Sequence, residues 1–177
     1  MLDKAVRKTF INLIGRYHLA QTRCQLKSDE IRSMAQRIGG YTDSDILIQV
    51  IMSVPFESPL RYALFRKYHE LTDKASEESD TQSYPKKTVL LDKWTKNTLK
   101  RLVAEYKLFL DERTSLGEEI SKLAEECGAN DNIEDINELI SLVNFQCFMR
   151  FKLVHRQSIL TDKALGIERP IFTVEAS

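Results

Sequence analysis

The chain has 177 residues, of which 42 % are apolar and 29 % charged, and its net charge at neutral pH is zero. This length fits one domain or a tight pair of subdomains, with a core that needs neither a metal nor disulfides. The balance of residues is that of an ordinary globular protein. No apolar run approaches the roughly 20 residues of a membrane span. The first residues lack the apolar stretch of a signal peptide. We therefore expect a cytoplasmic protein without a membrane partner.

Helices are expected along most of the chain, because only 6 glycines and 4 prolines interrupt it and period-2 alternation is almost absent. We predict an all-α fold, with a single compact domain of five to seven helices over 1–166 and a short extended tail over 167–177. The cysteines Cys24, Cys127 and Cys147 recur in apolar helical phases and lack zinc-ligand spacing. Burial is the expected role of all three thiols, and no metal or cofactor is expected.

The first third of the chain is predicted to hold three helices. The first runs over about 2–25, with an apolar residue at every third or fourth position. The second runs over 28–38, with Ser28 as its N-cap and two glycines directly after it. The third runs from a capping sequence at 42–45 to Met52.

The middle of the chain is predicted to hold a helix, a loop and a longer helix. Ser58 and Pro59 are an N-cap and a first helical residue. Residues 75–85 are polar, acidic and serine-rich, which predicts a mobile loop. A long helical pattern then starts near residue 88 and keeps one heptad phase throughout. Because 115–118 is also a capping-box pattern, one continuous helix and a break both fit, and a break is slightly favoured.

A turn is predicted at 128–132, and one long helix is predicted from Ile133 to about Leu160. The predicted buried stripe of this helix includes Phe151 and Val154. This helix and the first one each carry more apolar residues than one packed stripe requires, which predicts a partner interface on them. The residues predicted to form this partner interface are Phe10, Leu13, Tyr17 and Phe148.

Charge is unevenly distributed along the chain. Residues 85–107 carry seven Lys or Arg against two acids, whereas 108–138 carry two against ten. Lysines at 86, 93, 100 and 107 recur every seven residues, which keeps them near one helical face. Such a ridge could contact phosphates at several points, although pairing with the acidic block or plain solvation explains it about as well. The candidate DNA-binding residues are Lys93, Lys96, Lys100 and, in a second basic cluster, Arg150, Lys152 and Arg156.

No catalytic constellation is found in the sequence. A glycine-rich phosphate loop, a His-Glu-x-x-His helix and a Gly-x-Ser-x-Gly elbow are all absent. A helix-turn-helix pattern around Ala35 and Gly39 fails, because Gly40 and Asp45 stand where apolar residues belong and the candidate recognition helix has no Lys or Arg. We therefore expect a binding protein rather than an enzyme, with no small-molecule substrate.

Four segments occur in an order that is typical of a known family. They are residues 13–40, 61–71, 105–111 and 142–151, and together they touch most of 10–155. They resemble, in the same order, helices of FlhC, the C subunit of the flagellar master transcriptional activator. The resemblance implies a complex with a small helical FlhD-like partner and binding to promoter DNA, and it leaves contact with RNA polymerase open.

One feature of that family is missing from this chain. The family has a four-cysteine zinc site near its C-terminus, and no cysteine follows Cys147 here, so no zinc is expected by that route. The first hypothesis is therefore a divergent DNA-binding transcriptional activator subunit that acts in a hetero-oligomer. The alternative is a helical adaptor or structural subunit that binds protein only.

Overall fold

A computed structural model describes residues 2–78, 90–143 and 148–167, with the side chains of 76–78 and 148 excepted. Within these ranges the backbone forms six α-helices, one short 3-10 helix and no strand. The predicted all-α fold of five to seven helices is therefore confirmed. All but the first residue of the predicted tail lies outside the described residues.

The helices are named here in chain order. They are α1 (Lys4–Arg37), α2 (Ser44–Ser53), α3 (Pro59–Glu78), α4 (Lys93–Glu126), α5 (Ile133–Leu142) and α6 (Phe148–Ala164), with a 3-10 helix, Ala129–Asp131, between α4 and α5. No described helix combines the length and the apolarity that crossing a lipid bilayer requires.

α1 is one uninterrupted helix, so the predicted boundary at Ser28 is wrong. Ser28 lies buried within the helix instead of capping a new one. The spacing of buried residues continues past it to Ile31 and Met34, and this amphipathic stripe keeps the chain helical. A serine in front of an apolar run was therefore not a sufficient signal for a new helix.

The boundary between α1 and α2 agrees with the prediction. Gly40 N–H donates to the Ala35 carbonyl (2.8 Å) and Gly39 N–H to the Gln36 carbonyl (3.1 Å), and Gly39 has a φ of 84°. These bonds form a Schellman motif, which needs a residue that tolerates positive φ. Asp43 then caps α2 by accepting hydrogen bonds from two backbone N–H groups of its first turn.

α3 also begins as predicted but ends later. The hydroxyl of Ser58 accepts a hydrogen bond from the backbone N–H of Arg61 at 3.2 Å, and Pro59 is the first helical residue. Residues 75–78, which were assigned to the loop, are helical. The rest of the predicted loop, 79–85, lies outside the described residues.

α4 starts directly after Asp92 and runs without a break, so the favoured break at 115–118 is wrong. The Asp92 carboxylate accepts hydrogen bonds from the backbone N–H (3.0 Å) and the hydroxyl of Thr95, which caps the first turn. Leu116 and Ile120 are buried in one stripe across the predicted break. Burial of that stripe outweighs the local capping sequence.

The predicted helix over 133–160 is two helices. α5 ends because Val143 has extended backbone, with φ −97° and ψ 132°. The interruption shifts the helical phase, so that Met149 and Leu153 are buried in α6. Phe151 and Val154, which were expected to be buried, are 69 % and 42 % exposed.

The chain divides into two compact units. The central unit comprises residues 20–112, and its core is built from α1, α2, α3 and α4. Its buried side chains include Cys24, Ile31, Met34, Leu47, Val50, Ile51, Leu60, Leu64, Leu99, Leu102 and Tyr106. α2 packs on α3 in this unit.

The terminal unit comprises residues 1–19 and 113–177. Its buried side chains include Phe10, Ile14, Tyr17, Leu116, Ile120, Ile136, Leu139, Met149 and Leu153. α5 packs on α6. A methyl group on Gly117 of α4 would lie 3.4 Å from Met149 and 3.5 Å from Tyr17, so these helices approach closely there.

Two glycines of the N-terminal region are expected to respond oppositely to replacement by alanine. A methyl group on Gly15, inside α1, meets no atom within 4 Å, so Gly15→Ala should stabilise the fold by about 0.5–1 kcal/mol. A methyl group on Gly40 lies 2.9 Å from the Ala35 carbonyl oxygen, so Gly40→Ala should destabilise it by about 1–3 kcal/mol. Urea unfolding of both variants measures these changes, and destabilisation by both would contradict an unstrained α1 at Gly15.

Candidate nucleic-acid interface on α4

The N-terminal half of α4 exposes lysines along one flank of its buried stripe. Successive helical residues are about 100° apart, and Leu99, Leu102 and Tyr106 turn towards the core of the central unit. The lysines lie to one side of this buried stripe, within about 60° of each other around the helix axis, and all are exposed. This lysine face consists of Lys93, Lys96, Lys100 and Lys107.

Few acids lie near the lysine face in the sequence: Asp92 and Asp111 flank it, and Glu105 lies within it. Within the described ranges, none of its four side chains forms an ion pair. The one acid between residues 93 and 107 is Glu105, and its carboxylate lies 2.8 Å from the ammonium group of Lys27 on α1. Lys27 also lies 2.9 Å from Glu30. Glu105 is therefore balanced by α1, and the lysines keep their net positive charge.

The contact between Lys27 and Glu105 changes the pKa of both groups. The hydrogen bond from Lys27 lowers the pKa of Glu105 from its usual 4.5, against a smaller opposing effect of desolvation. The hydrogen bonds to Glu105 and then to Glu30 raise the pKa of Lys27 above its usual 10.5. Both partners are ionised near neutral pH, so the local balance of charge holds there.

Trp94 is an exposed aromatic side chain in the first turn of α4. It is the only tryptophan of the chain and is 74 % exposed. Trp94 adjoins Lys93 in the sequence, and exposed aromatic rings near basic residues are typical of surfaces on which nucleic-acid bases stack. Trp94 was not among the predicted site residues, although its position outside the apolar heptad phase of α4 was a signal of its exposure.

A groove of about 320 Å³ lies beside the lysine face, between α2 and the start of α4. Gln49 of α2 accepts a hydrogen bond through Oε1 from the backbone N–H of Leu91 at 3.3 Å, which holds the segment before α4 against α2. The groove is lined by Ile48, Gln49, Met52, Ser53, Leu91, Lys96, Leu99 and Lys100. It is therefore largely apolar, with two of the lysines at its edge.

Arg150, which was predicted to contact DNA, binds within the protein. Its guanidinium group donates hydrogen bonds to the carbonyls of Ile140 (2.8 Å) and Val143 (2.9 Å). These carbonyls end α5, where a cation is favoured by the helix dipole. We therefore assign Arg150 a role in stabilising the end of α5, which occupies its Nη1.

Arg156 has a similar structural role. Its Nε donates to the Asn130 carbonyl at 2.8 Å, and its terminal nitrogen lies 2.8 Å from the Asp131 carboxylate. Lys152 is exposed, but it lines a cleft that also holds the carboxylates of Glu125 and Asp131. Acids at that position oppose phosphate binding, so the charge around this second cluster favours phosphate less than that of the lysine face, and DNA contact there stays a prediction.

The predicted partner interface is largely part of a core. Phe10 is 0 % and Tyr17 5 % exposed, Leu13 is half-buried, and the side chain of Phe148 lies outside the described residues. Phe10 and Tyr17 are therefore corrected to core residues of the terminal unit. The regular apolar spacing on α1 therefore reflects packing within the chain and not contact with a partner. The exposed large apolar residues of α1 and α6 are instead Ile11, Leu19, Leu26, Phe151, Val154 and Ile159.

No described group of His, Cys, Asp and Glu side chains is arranged to hold a metal ion. Cys24 is a buried thiol, as expected, and Cys127 is partly buried. Cys147 lies outside the described residues. Burial lowers the pKa of His18, which favours its neutral form in the terminal unit.

No protein-family model matches the chain, and no curated protein or solved structure matches it either. The candidate interface therefore rests on the charge, exposure and hydrogen bonding of this chain alone.

The ion pair of Lys27 and Glu105 is expected to give a pH-dependent contribution to stability. The pKa of Glu105 is lowered from 4.5 and that of Lys27 is raised from 10.5. The ion pair therefore contributes fully to stability between about pH 4.5 and pH 10.5. It is lost as pH falls through the lowered pKa of Glu105, and also as pH rises through the raised pKa of Lys27. Glu105→Gln should therefore lower the urea midpoint at about pH 7, by an amount that shrinks as pH falls through the lowered pKa of Glu105.

Glu119→Gln is the matched control, because Glu119 is exposed on the same helix and forms no ion pair among the described residues. Its effect on the urea midpoint should be small and nearly independent of pH. A Glu105→Gln effect that is as large in acid as at neutral pH would contradict the assigned ion pair.

Proposed function

We propose that the chain is a cytoplasmic DNA-binding subunit of a transcriptional activator, a binding protein rather than an enzyme, whose lysine face contacts phosphates. The observation that carries this proposal is a row of exposed lysines without ion-pair partners in the described ranges. Lys93 and Lys100 are seven residues apart, or about 10.5 Å along the axis. Lysines at that spacing can reach more than one phosphate of a duplex.

A lysine contact to phosphate gives affinity and positions a protein on DNA without reading its sequence. The lysine face therefore accounts for binding, and sequence selection falls to other groups. A second subunit is a natural source of them, which fits a hetero-oligomer. The FlhC-like order of segments supports the same proposal and makes a small helical FlhD-like protein the expected partner, with RNA polymerase as a further one.

A protein-only adaptor is the alternative function. It is supported by large apolar side chains that are exposed in the central unit near α2 and the start of α4. These are Met52, Phe56, Leu90 and Trp94, each more than 60 % exposed. Residues of these types are enriched at protein interfaces. Binding to DNA at low salt discriminates between the two functions.

Removal of two lysines from the lysine face is expected to weaken DNA binding for all sequences. Each phosphate contact contributes about 0.9 to the slope of log affinity against log salt, so Lys93→Ala/Lys100→Ala should reduce the slope by about 1.8. The measurement is a mobility shift of mixed-sequence duplex DNA with the purified chain over a salt series.

Lys122→Ala/Lys163→Ala is the matched control, because it removes the same charge from exposed lysines elsewhere. It should leave the salt slope unchanged. Equal weakening by both double variants would reject the lysine face as the DNA surface. Absence of any DNA binding by the wild-type chain at low salt would favour the protein-only adaptor.

A further inference from the structure

The groove between α2 and α4 is an apolar surface that the described part of the chain does not fill. Its apolar lining consists of Ile48, Met52, Leu91 and Leu99. Met52 is 67 % exposed, and methionine is a flexible side chain that adapts to apolar partners. An exposed apolar surface with polar groups at its edge is typical of a protein interaction site.

The charged side chains that line the groove are all positive among the described residues. Lys96 and Lys100 line it, and among the described residues no carboxylate does. The two lysines are one helical turn apart, so they lie on the same side of α4. A ligand that fits this groove therefore combines apolar groups with negative charge.

We propose that the groove binds an amphipathic helical segment of a partner protein, with its apolar residues in the groove and its acidic residues against Lys96 and Lys100. A helix with apolar residues at i, i+3, i+4 and i+7 offers such a stripe, and carboxylates beside the stripe complement the lysines. This inference rests on the proposed function, because the groove is the surface through which the chain would bind its partner in the hetero-oligomer. It replaces the interface predicted at Phe10 and Tyr17.

The groove uses only part of the lysine face. Lys93 and Lys107 do not line it, so both stay exposed when a partner helix is bound at Lys96 and Lys100. A bound partner therefore leaves Lys93 and Lys107 for phosphates, whereas in the chain alone Lys100 is also available to DNA. The two binding events are separable by variants that change only the apolar lining.

Anisotropy of a fluorescein-labelled synthetic peptide tests the proposal on the full chain. The peptide carries leucine at i, i+3, i+4 and i+7 and glutamate at its other positions, and a matched peptide carries lysine in place of glutamate. We expect the glutamate peptide to bind at least about tenfold more tightly than the lysine peptide, with affinity that falls as salt rises.

Two variants locate the binding site. Met52→Gln removes apolar contact at similar side-chain length, and Lys96→Ala removes one charge from the edge. Each should weaken binding of the glutamate peptide by about threefold to tenfold. Leu108→Gln is the control, because Leu108 is 63 % exposed on α4 and does not line the groove. It should leave peptide binding unchanged, and circular dichroism verifies that each variant is folded.

Equal binding of the two peptides would overturn the proposal, and so would binding that neither Met52→Gln nor Lys96→Ala weakens. A dimer of the chain that Met52→Gln dissociates would assign the groove to a second copy and would also overturn it. If Met52→Gln weakens DNA binding as much as peptide binding, the groove belongs to the nucleic-acid surface instead.

The peptide and DNA measurements distinguish this inference from the proposed function. Binding of the glutamate peptide by a chain that binds no DNA at low salt rejects DNA binding and keeps the groove. DNA binding that Met52→Gln leaves intact, by a chain that binds no peptide, rejects the groove and keeps DNA binding.

Discussion

Burial of Leu99, Leu102 and Tyr106 in the central unit fixes the rotation of α4 about its axis. Full burial of a large apolar side chain contributes about 1.5–3 kcal/mol, whereas an exposed charge pair contributes at most about 1 kcal/mol. Apolar packing therefore decides which side of the helix faces solvent. The lysine face and the edge of the groove follow from that rotation, so single lysines can be changed without changing the fold.

The charges of α4 are arranged against its helix dipole. Its first turn holds Lys93 and Lys96 and no acid, and its last turn holds no basic residue. Cations near a helix N-terminus are unfavourable, and the capping carboxylate of Asp92 offsets part of that effect. Sequences that break a local stability rule often do so at functional positions. The arrangement therefore supports a binding role for this end of α4.

Much of the helical layout could be predicted from local signals. The Schellman glycines after α1, the Asp43 cap of α2 and the Ser58–Pro59 start of α3 depend on residues within a few positions of each other. The end of α5 could not be predicted in this way. No glycine or proline lies between 143 and 148, and the α5 carbonyls are bound by Arg150 from the next helix.

The candidate site was partly predictable for the same reason. Sevenfold spacing identified Lys93, Lys100 and Lys107, which the fold exposes on one side of α4 because they belong to one helix. Lys86, the first lysine of that series, lies outside the described residues. The groove could not be found from spacing, since it needs α2 and Leu91 side by side. Phe10 and Tyr17 were misassigned because a regular apolar stripe has the same spacing whether it packs within the chain or on a partner.

The fluorescence of Trp94 offers the most direct test of nucleic-acid binding at the lysine face. This residue is the chain's sole tryptophan and is 74 % exposed in the first turn of α4, so its emission reports on the start of α4, next to Lys93. Titration of the purified chain with duplex DNA at low salt should change the emission to saturation, and added salt should reverse the change. Emission that stays constant throughout the titration would contradict DNA binding at this face.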